Sequence, residues 1–269
     1  MRLISICPSN TELIHYLGLT SFLVAIDDFS DWPQEVAHLP RLGPDLSIDM
    51  DQVEELKPDL VVASLSVPGM EKNIEQLQKR NIPHIVLNPQ SLNDIGDDLL
   101  TLGKAVNYNE RAAEVAADYH SIIRQLKDAS LTVSSRPSLY WEWWPKPVFT
   151  PGAVNWLSEV SELAGGTNVF KDVPLASVQT DWEDVLLRDP DHICLAWVGV
   201  RTEKINPRLL LKRPNWPDLK AIKEDHVHIL EEDLYCRPSP RLIEGIWKLG
   251  RLLHWDVYKN IELPTVFKT

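Results

Sequence analysis

From Val106 to Leu131 the chain carries about 24 residues without a proline or glycine, which as one helix is a rod of roughly 35 Å. Ala112, Val115, Ala116, Tyr119, Ile122, Ile123 and Leu126 recur at three- and four-residue steps, with Glu110, Arg111, Glu114, Asp118, Arg124 and Lys127 between them. A helix about twice the usual length is out of place inside a small α/β lobe, but a rigid brace between two lobes requires one. The expected fold class is therefore α/β, with two sheet-and-helix lobes bridged by one long rigid helix and a ligand cleft between them. The boundaries are an N-terminal lobe over residues 1–105, the bridging helix over 106–131 and a C-terminal lobe over 132–269.

The 269 residues suffice for two cores, and 44% hydrophobic with 25% charged residues excludes a disordered or fibrous chain. Acidic residues exceed basic ones by 39 to 27, a formal charge of -12, and no basic run or zinc-finger spacing occurs, so nucleic acid is excluded as a partner. The three cysteines are odd in number and form no CxxC; Cys194 reads as a buried thiol, while Cys7 and Cys236 lie in loop-like sequence where they could line a pocket. Met1-Arg2 leads directly into Leu3–Ile6 with no signal-peptide pattern, and no apolar run of 18 residues or more occurs. The protein is expected not to span a membrane and, as the sequence stands, to be a cytoplasmic monomer; removal of a signal peptide or lipid anchor would make it extracytoplasmic.

The first lobe alternates strand and helix. Strands are expected at Leu3–Ile6, Leu23–Ile26, Asp59–Ala63 and His84–Leu87, and helices from a Ser9/Glu12 capping box to Gly18, at Asp49–Leu56 and at Met70–Lys79. The second lobe repeats the alternation. Its strands are expected at Leu139–Glu142, Ile193–Val198 and Val227–Leu230, with helices at Asn155–Ala164, at Trp182–Leu187 capped by Asp181, and from a Ser239-Pro240 start to about His254. Leu56-Lys57-Pro58-Asp59 and Leu187-Arg188-Asp189-Pro190-Asp191 are one phrase used twice: a helix ends, proline blocks it, and an apolar strand follows. The lobes are expected to be structural relatives.

Aromatic density points to a binding site. Tyr140-Trp141-Glu142-Trp143-Trp144 follows a strand start, and because strand side chains alternate, consecutive Trp143 and Trp144 cannot both enter one core; at least one is left for a surface or cleft. Trp32, Trp197 and Tyr235 also fall just past the carboxyl ends of strands, where ligands of α/β sheets bind. Cys7-Pro8-Ser9-Asn10 stands at the mouth of the first strand, where a helix N-terminus could hold an anionic or amide-bearing edge. No GxGxxG, GxxxxGK, GxSxG or HExxH occurs; His226 and His228 share a strand face without a third ligand, and Asp27-Asp28 reads as a solvated loop. No catalytic residue, metal ligand or intrinsic cofactor is expected.

Ile4-Ser-Ile-Cys-Pro-Ser-Asn-Thr-Glu-Leu13, Ser30-Asp-Trp-Pro33, Leu56-Lys-Pro-Asp-Leu-Val-Val62, Gly165-Gly166-Thr-Asn-Val-Phe170 and Ser239-Pro-Arg241 together resemble the helical-backbone solute-binding proteins of ABC importers. Within them the likeness is greatest to the vitamin B12 binding proteins. The resemblance implies non-catalytic binding of cobalamin or a related corrinoid, with Trp32, the Trp141–Trp144 cluster and Tyr235 against the corrin, and Ser9, Glu142 and Arg237 on its amides or phosphate. Siderophore or haem binding, or an enzyme acting on a corrinoid, are the alternatives. It also implies an ABC permease whose arginines meet one acidic residue per lobe: Asp51 falls near the first position, and Cys236 stands at the second, which weakens the docking signal.

Overall fold

The computed structural model describes residues 1–268. It divides into two compact units, Met1–His120 with Pro238–Pro240, and Ser121–Arg237 with the chain from Arg241 onward. The first is built on strands β1 (Leu3–Ser5), β2 (Leu23–Ile26), β3 (Leu60–Ser64) and β4 (His84–Leu87), all parallel in the order β2-β1-β3-β4. Helices α1 (Pro8–Tyr16), α2 (Met50–Glu55), α3 (Glu71–Lys79) and α4 (Leu92–Ala105) follow the strands. Ile4, Ala25, Val61 and Ala63 of the sheet are buried in one cluster with Val53 of α2 and Leu77 of α3. Burial on both faces explains why these strands read as short unbroken apolar runs.

Helix α1 does not use the expected capping box. It opens at Pro8, whose fixed φ suits the first helical position, with Cys7 as an extended N-cap. Ser9 is thereby drawn into the first turn, and the buried Glu12 carboxylate accepts the hydroxyl of Ser239 instead of closing a cap. Ser239 is not the expected cap either: the closing helix starts at Leu242, with Arg241 at the N-cap position and no side-chain cap. The Asp181 cap forms as read, accepting from the backbone of Glu183 and Asp184, and α2 gains a cap from Asp49, which accepts from Asp51 and Gln52.

The long helix, α5, runs Asn109–Ser130 rather than from Val106, because Asn107 adopts a left-handed φ of 61° that closes α4 first. Its first twelve residues belong to the first unit and the rest to the second. Helix α4, capped by a Ser91/Asp94 box, is not among the expected elements, although Leu92, Ile95, Leu99 and Leu102 recur along it at three- and four-residue steps with Gly96 and Gly103 on the same buried face. Those glycines are where α5 comes closest: a Cβ at Gly96 would overlap the His120 ring, and one at Gly103 the Cβ of Ala112.

The second unit contains β5 (Ser138–Glu142), β6 (Trp144–Pro145), β7 (Val148–Pro151), α6 (Trp156–Leu163), β8 (Thr167–Asn168), β9 (Ser177–Thr180), α7 (Trp182–Arg188) and β10 (His192–Leu195). After these come α8 (Lys220–Lys223), β11 (Val227–Ile229), α9 (Glu232–Tyr235), α10 (Leu242–Leu253) and α11 (Trp255–Tyr258). Its parallel sheet runs β11-β10-β5-β8, and β6, β7 and β9 form a separate antiparallel sheet. Taken in chain order, both parallel sheets have the arrangement second-first-third-fourth. The repeated phrase lies before the third strand of each. Lys57 (φ 48°) and Asp189 (φ 42°) both close a helix left-handed just before a proline. Asp59 then accepts the amide of Arg2 at 2.7 Å, and Asp191 that of Ser138 at 2.9 Å, each tying down the start of the first strand. The two units are structural relatives.

Candidate ligand-binding site

At the carboxyl ends of β1 and β2 the first unit holds a closed polar chain. Thr11 Oγ1 donates to Ser5 Oγ at 2.7 Å and lies 2.6 Å from Ser30 Oγ, which donates to the Asp27 carboxylate. Arg41 donates to the carbonyls of Asp27 and Ser30. Asp27, expected in a solvated loop, is fully buried and also accepts the Phe29 amide at 2.8 Å; only Asp28 is exposed. This network holds the Ser30–Pro33 turn and with it Trp32. The half-buried Trp32 ring is braced edge-on by His15 at 4.5 Å and by Tyr16 at 5.7 Å. His15 Nδ1 lies 2.9 Å from the Thr20 hydroxyl, and burial lowers its pKa, so the brace is a neutral ring near pH 7. Pro8 and Ser9 are buried, and Ser9 Oγ sits 3.3 Å from Cys7 Sγ. Burial, then the Asp27 charge, push the Cys7 thiol up to about 11, which keeps it protonated at neutral pH.

The second unit distributes its aromatic residues differently from the sequence expectation. Trp141 is buried, its indole donating to Ser161 at 2.9 Å. Glu142, expected to meet a ligand, is enclosed in the core. Its carboxylate accepts from Arg213 twice, at 2.6 and 2.8 Å, from Tyr140 at 2.8 Å and from the Trp197 indole at 3.1 Å. The Arg213 guanidinium lies 4.3 Å from the Trp216 ring centre and 5.0 Å from that of Trp182. This bidentate pair leaves no acceptor capacity for a solute. Trp197 is therefore a core residue too, and Tyr235 is buried with its hydroxyl on the Gly245 carbonyl at 2.9 Å. The buried Arg237 bonds Glu232 at 3.1 Å. Alternation had no means of showing this, because the partner that draws Glu142 inward lies 71 residues away.

Trp32, Trp143 and Trp144 are the expected aromatic residues that retain exposure. Trp144 is 43% exposed on β6, its indole donating to Lys146 at 3.2 Å. Trp143 is half-buried between β5 and β6; its amide bonds Phe149 and its carbonyl Val198, while its buried indole N–H has no acceptor among the described residues. A separate groove of about 940 Å³ lies beside the hairpin, walled by Pro145, Pro147, Trp182, Leu186, Leu187 and Pro214. None of the nine expected ligand residues lines it.

The expected docking residues are also accounted for. Asp51 is exposed on α2 but paired with Arg80 at 2.6 Å, and Arg80 also holds Glu54 at 2.8 Å. Cys236 directs its thiol to the Ala196 carbonyl at 3.5 Å, and burial raises its pKa well above the ordinary thiol value, so it presents no charge. Among the described residues no helix is long and apolar enough to cross a membrane, and no group of three or more His, Cys, Asp or Glu is arranged to hold a metal ion.

Two parallel-sheet units with aromatic residues past their strand ends are the architecture of a solute-binding protein. The sequence profile of the periplasmic binding protein family matches residues 3–234, and the chain belongs to that family. It is 27% identical over 269 residues to the uncharacterized ABC transporter substrate-binding lipoprotein YvrC of Bacillus subtilis (strain 168), covering 96% of this chain and 82% of that one. It is likewise 27% identical over 245 residues to a vitamin B12-binding protein of Vibrio parahaemolyticus, covering 91% and 86%. The fold superposes on the periplasmic vitamin B12 binding protein BtuF of Vibrio cholerae with a TM-score of 0.80 at 24% identity, covering 97% and 98% of the two chains. A periplasmic heme binding protein of Pseudomonas aeruginosa superposes with a TM-score of 0.83 at 20% identity, covering 98% and 95%.

Proposed function

We propose that this protein is the substrate-binding component of an ABC importer, and that its solute is a corrinoid of the cobalamin kind, bound without chemical turnover. The observation that carries the reading is the set of tryptophans that keep exposure at the strand ends: Trp32, braced by His15 and Tyr16, and Trp143 with the exposed Trp144. Indoles cover the apolar faces of a large flat macrocycle at small cost in side-chain entropy. The groups a catalyst would need are consumed, Glu142 by Arg213 and Cys7 by burial. Relatives named as vitamin B12-binding proteins support the choice of solute, and the lipoprotein relative supports an extracytoplasmic site of action over a cytoplasmic carrier. A permease would then be the macromolecular partner, meeting an α2 surface where Asp51 first has to leave Arg80.

The test is a titration with cyanocobalamin, and separately with hemin, read by tryptophan fluorescence and ligand absorbance. Saturation at one equivalent of cyanocobalamin is expected. Saturation by hemin alone overturns the corrinoid assignment in favour of a porphyrin, and a flat response to both overturns the metal-chelate reading. Fractionation of the producing cells, with the protein on the outer side of the cytoplasmic membrane, tests the location.

A further inference from the structure

Three histidines gather on one face at the edge of the second unit's parallel sheet, at the amino ends of its strands. Ile193 of β10 pairs with Val227 of β11, and continuing this register by one residue sets His192 beside His226, while alternation returns His228 to the same face. The His192 and His226 rings stack at 4.3 Å with planes 9° apart, and the His192 and His228 rings lie 5.1 Å apart. Nδ1 of His192 and Nε2 of His228 face each other at 2.9 Å. The fold does not demand this. In the first unit Val61 pairs with His84, so the positions equivalent to His192, His226 and His228 are Leu60, Pro83 and Ile85.

We propose that His192 and His228 form a bidentate site for a divalent ion of the imidazole-preferring class, such as Zn²⁺. A tetrahedral zinc with N ligands at about 2.0–2.1 Å holds those nitrogens about 3.3 Å apart, so the pair has to open by a few tenths of an ångström and each ring has to swing until both lone pairs meet on the ion. One of the two nitrogens now carries the proton of their mutual hydrogen bond. On metal binding that ring changes tautomer, its proton passing through solvent to its other nitrogen, so both facing lone pairs become available with no net proton released.

His226 does not converge on the same point: it covers one face of His192, and its Nδ1 lies 3.2 Å from the Asp191 carbonyl oxygen, so water completes the coordination. The surroundings suit a cation. Glu224 lies 3.8 Å from His226, and the negative charges of Asp225 and Asp191 act on His228 and His192. The nearby Lys220 and Lys223 are engaged by Asp191 and Asp218.

The experiment uses untagged full-length protein without corrinoid. Equilibrium dialysis against Zn²⁺ at pH 7.5 is expected to show one saturable equivalent. Trace Cu²⁺ should broaden the imidazole NMR signals of His192, His226 and His228 ahead of those of the five other histidines. His192→Asn and His228→Asn should each weaken Zn²⁺ binding by about tenfold or more, since even groups that only support a metal ligand cost 10–100-fold. His38→Asn, at an exposed histidine outside the cluster, should change nothing. Should a cluster variant fail to fold, the Cu²⁺ pattern of the unaltered protein decides. Broadening spread over all histidines, no saturable Zn²⁺, or unchanged affinity in both cluster variants overturns the site.

Discussion

The buried Glu142–Arg213 pair offers the sharpest test of the structural reading, because the family resemblance implied Glu142 on the ligand. Both side chains are almost wholly out of solvent, and the carboxylate takes four hydrogen bonds, two of them from Arg213. Arg213→Met keeps the packing between Trp182 and Trp216 but leaves a carboxylate buried with only the Tyr140 hydroxyl and Trp197 indole. Removing one partner of a buried pair typically costs about 3–5 kcal/mol. For a unit of this size that corresponds to a fall in Tm of roughly 6–20 °C. Glu142→Gln with Arg213→Met removes both charges and keeps an acceptor for the phenol or the indole, so the double variant should be more stable than Arg213→Met alone, a coupling of about 2 kcal/mol or more. Urea unfolding followed by tryptophan fluorescence is suited to this, because nine of the ten tryptophans, all but Trp32, lie in the second unit. Glu142→Gln, measured while folded, should leave solute affinity within about twofold, well under the 1.4 kcal/mol of a tenfold change. A loss under about 1 kcal/mol for Arg213→Met, or additive single effects, would refute the ion-pair account. A large affinity loss in folded Glu142→Gln would return that residue to the ligand.

Gly103→Ala should destabilise by about 1–3 kcal/mol despite the helix propensity of alanine, because its Cβ meets Ala112 of α5, and Ala112→Gly should restore most of the loss in urea melts. Asp98 on α4 is held up to about 7 by burial, reinforced by Asp94 and Asp97, and its Oδ2 has no partner among the described residues. A carboxyl raised on folding loses stability as pH climbs from its unfolded value near 4 through 7. Asp98→Asn should therefore stabilise by about 1–2 kcal/mol at pH 8, a figure halved for partial exposure, and do little at pH 4; an equal gain at both pH values refutes the assignment. Trp144→Ala should weaken cyanocobalamin binding about 5–30-fold, as for a truncated aromatic anchor, while Leu187→Asp in the separate groove should leave it unchanged; isothermal titration distinguishes the two. Arg80→Ala, which frees the exposed Asp51, should leave the urea midpoint essentially unchanged, because solvent screens both of its ion pairs.

Where a signal is local, the chain states it openly. The strands β2 and β4, the Asp49 and Asp181 caps, and the Gly18 stop at φ 74° follow from residues within a turn of each other. What the sequence hides is settled by distant partners. Ser239 reads as a helix cap, but the helix starts only at Leu242 and the Ser239 hydroxyl donates to Glu12, 227 residues earlier. Asp27 reads as solvated until Ser30 and the Phe29 amide enclose it. Helix α4 is legible in the three- and four-residue spacing of Leu92, Ile95, Leu99 and Leu102, but the reason for its two glycines lies in α5, which they let approach. The aromatic cluster is legible only in part, since alternation separates Trp141 from its neighbours but cannot tell which ring the hairpin leaves in solvent.

The duplicated topology separates what the fold needs from what was added. Both units keep the second-first-third-fourth sheet, the left-handed residue before proline, and an aspartate that fastens the first strand; these account for the architecture alone. In the first unit α1 opens at Pro8, three residues after β1 ends. In the second, the β6–β7 hairpin intervenes between β5 and α6 and carries Trp144, with Trp143 at its root. The histidine cluster is a second departure, set where the first unit has Leu60, Pro83 and Ile85. The hairpin follows the carboxyl end of β5 and the histidines gather at the amino ends of β10 and β11. Opposite ends of one sheet thus carry the two features the repeat does not require. Occupation of one by metal should therefore leave solute binding at the other unchanged, and a Zn²⁺-dependent shift in cyanocobalamin affinity of tenfold, about 1.4 kcal/mol, would show that the ends are coupled.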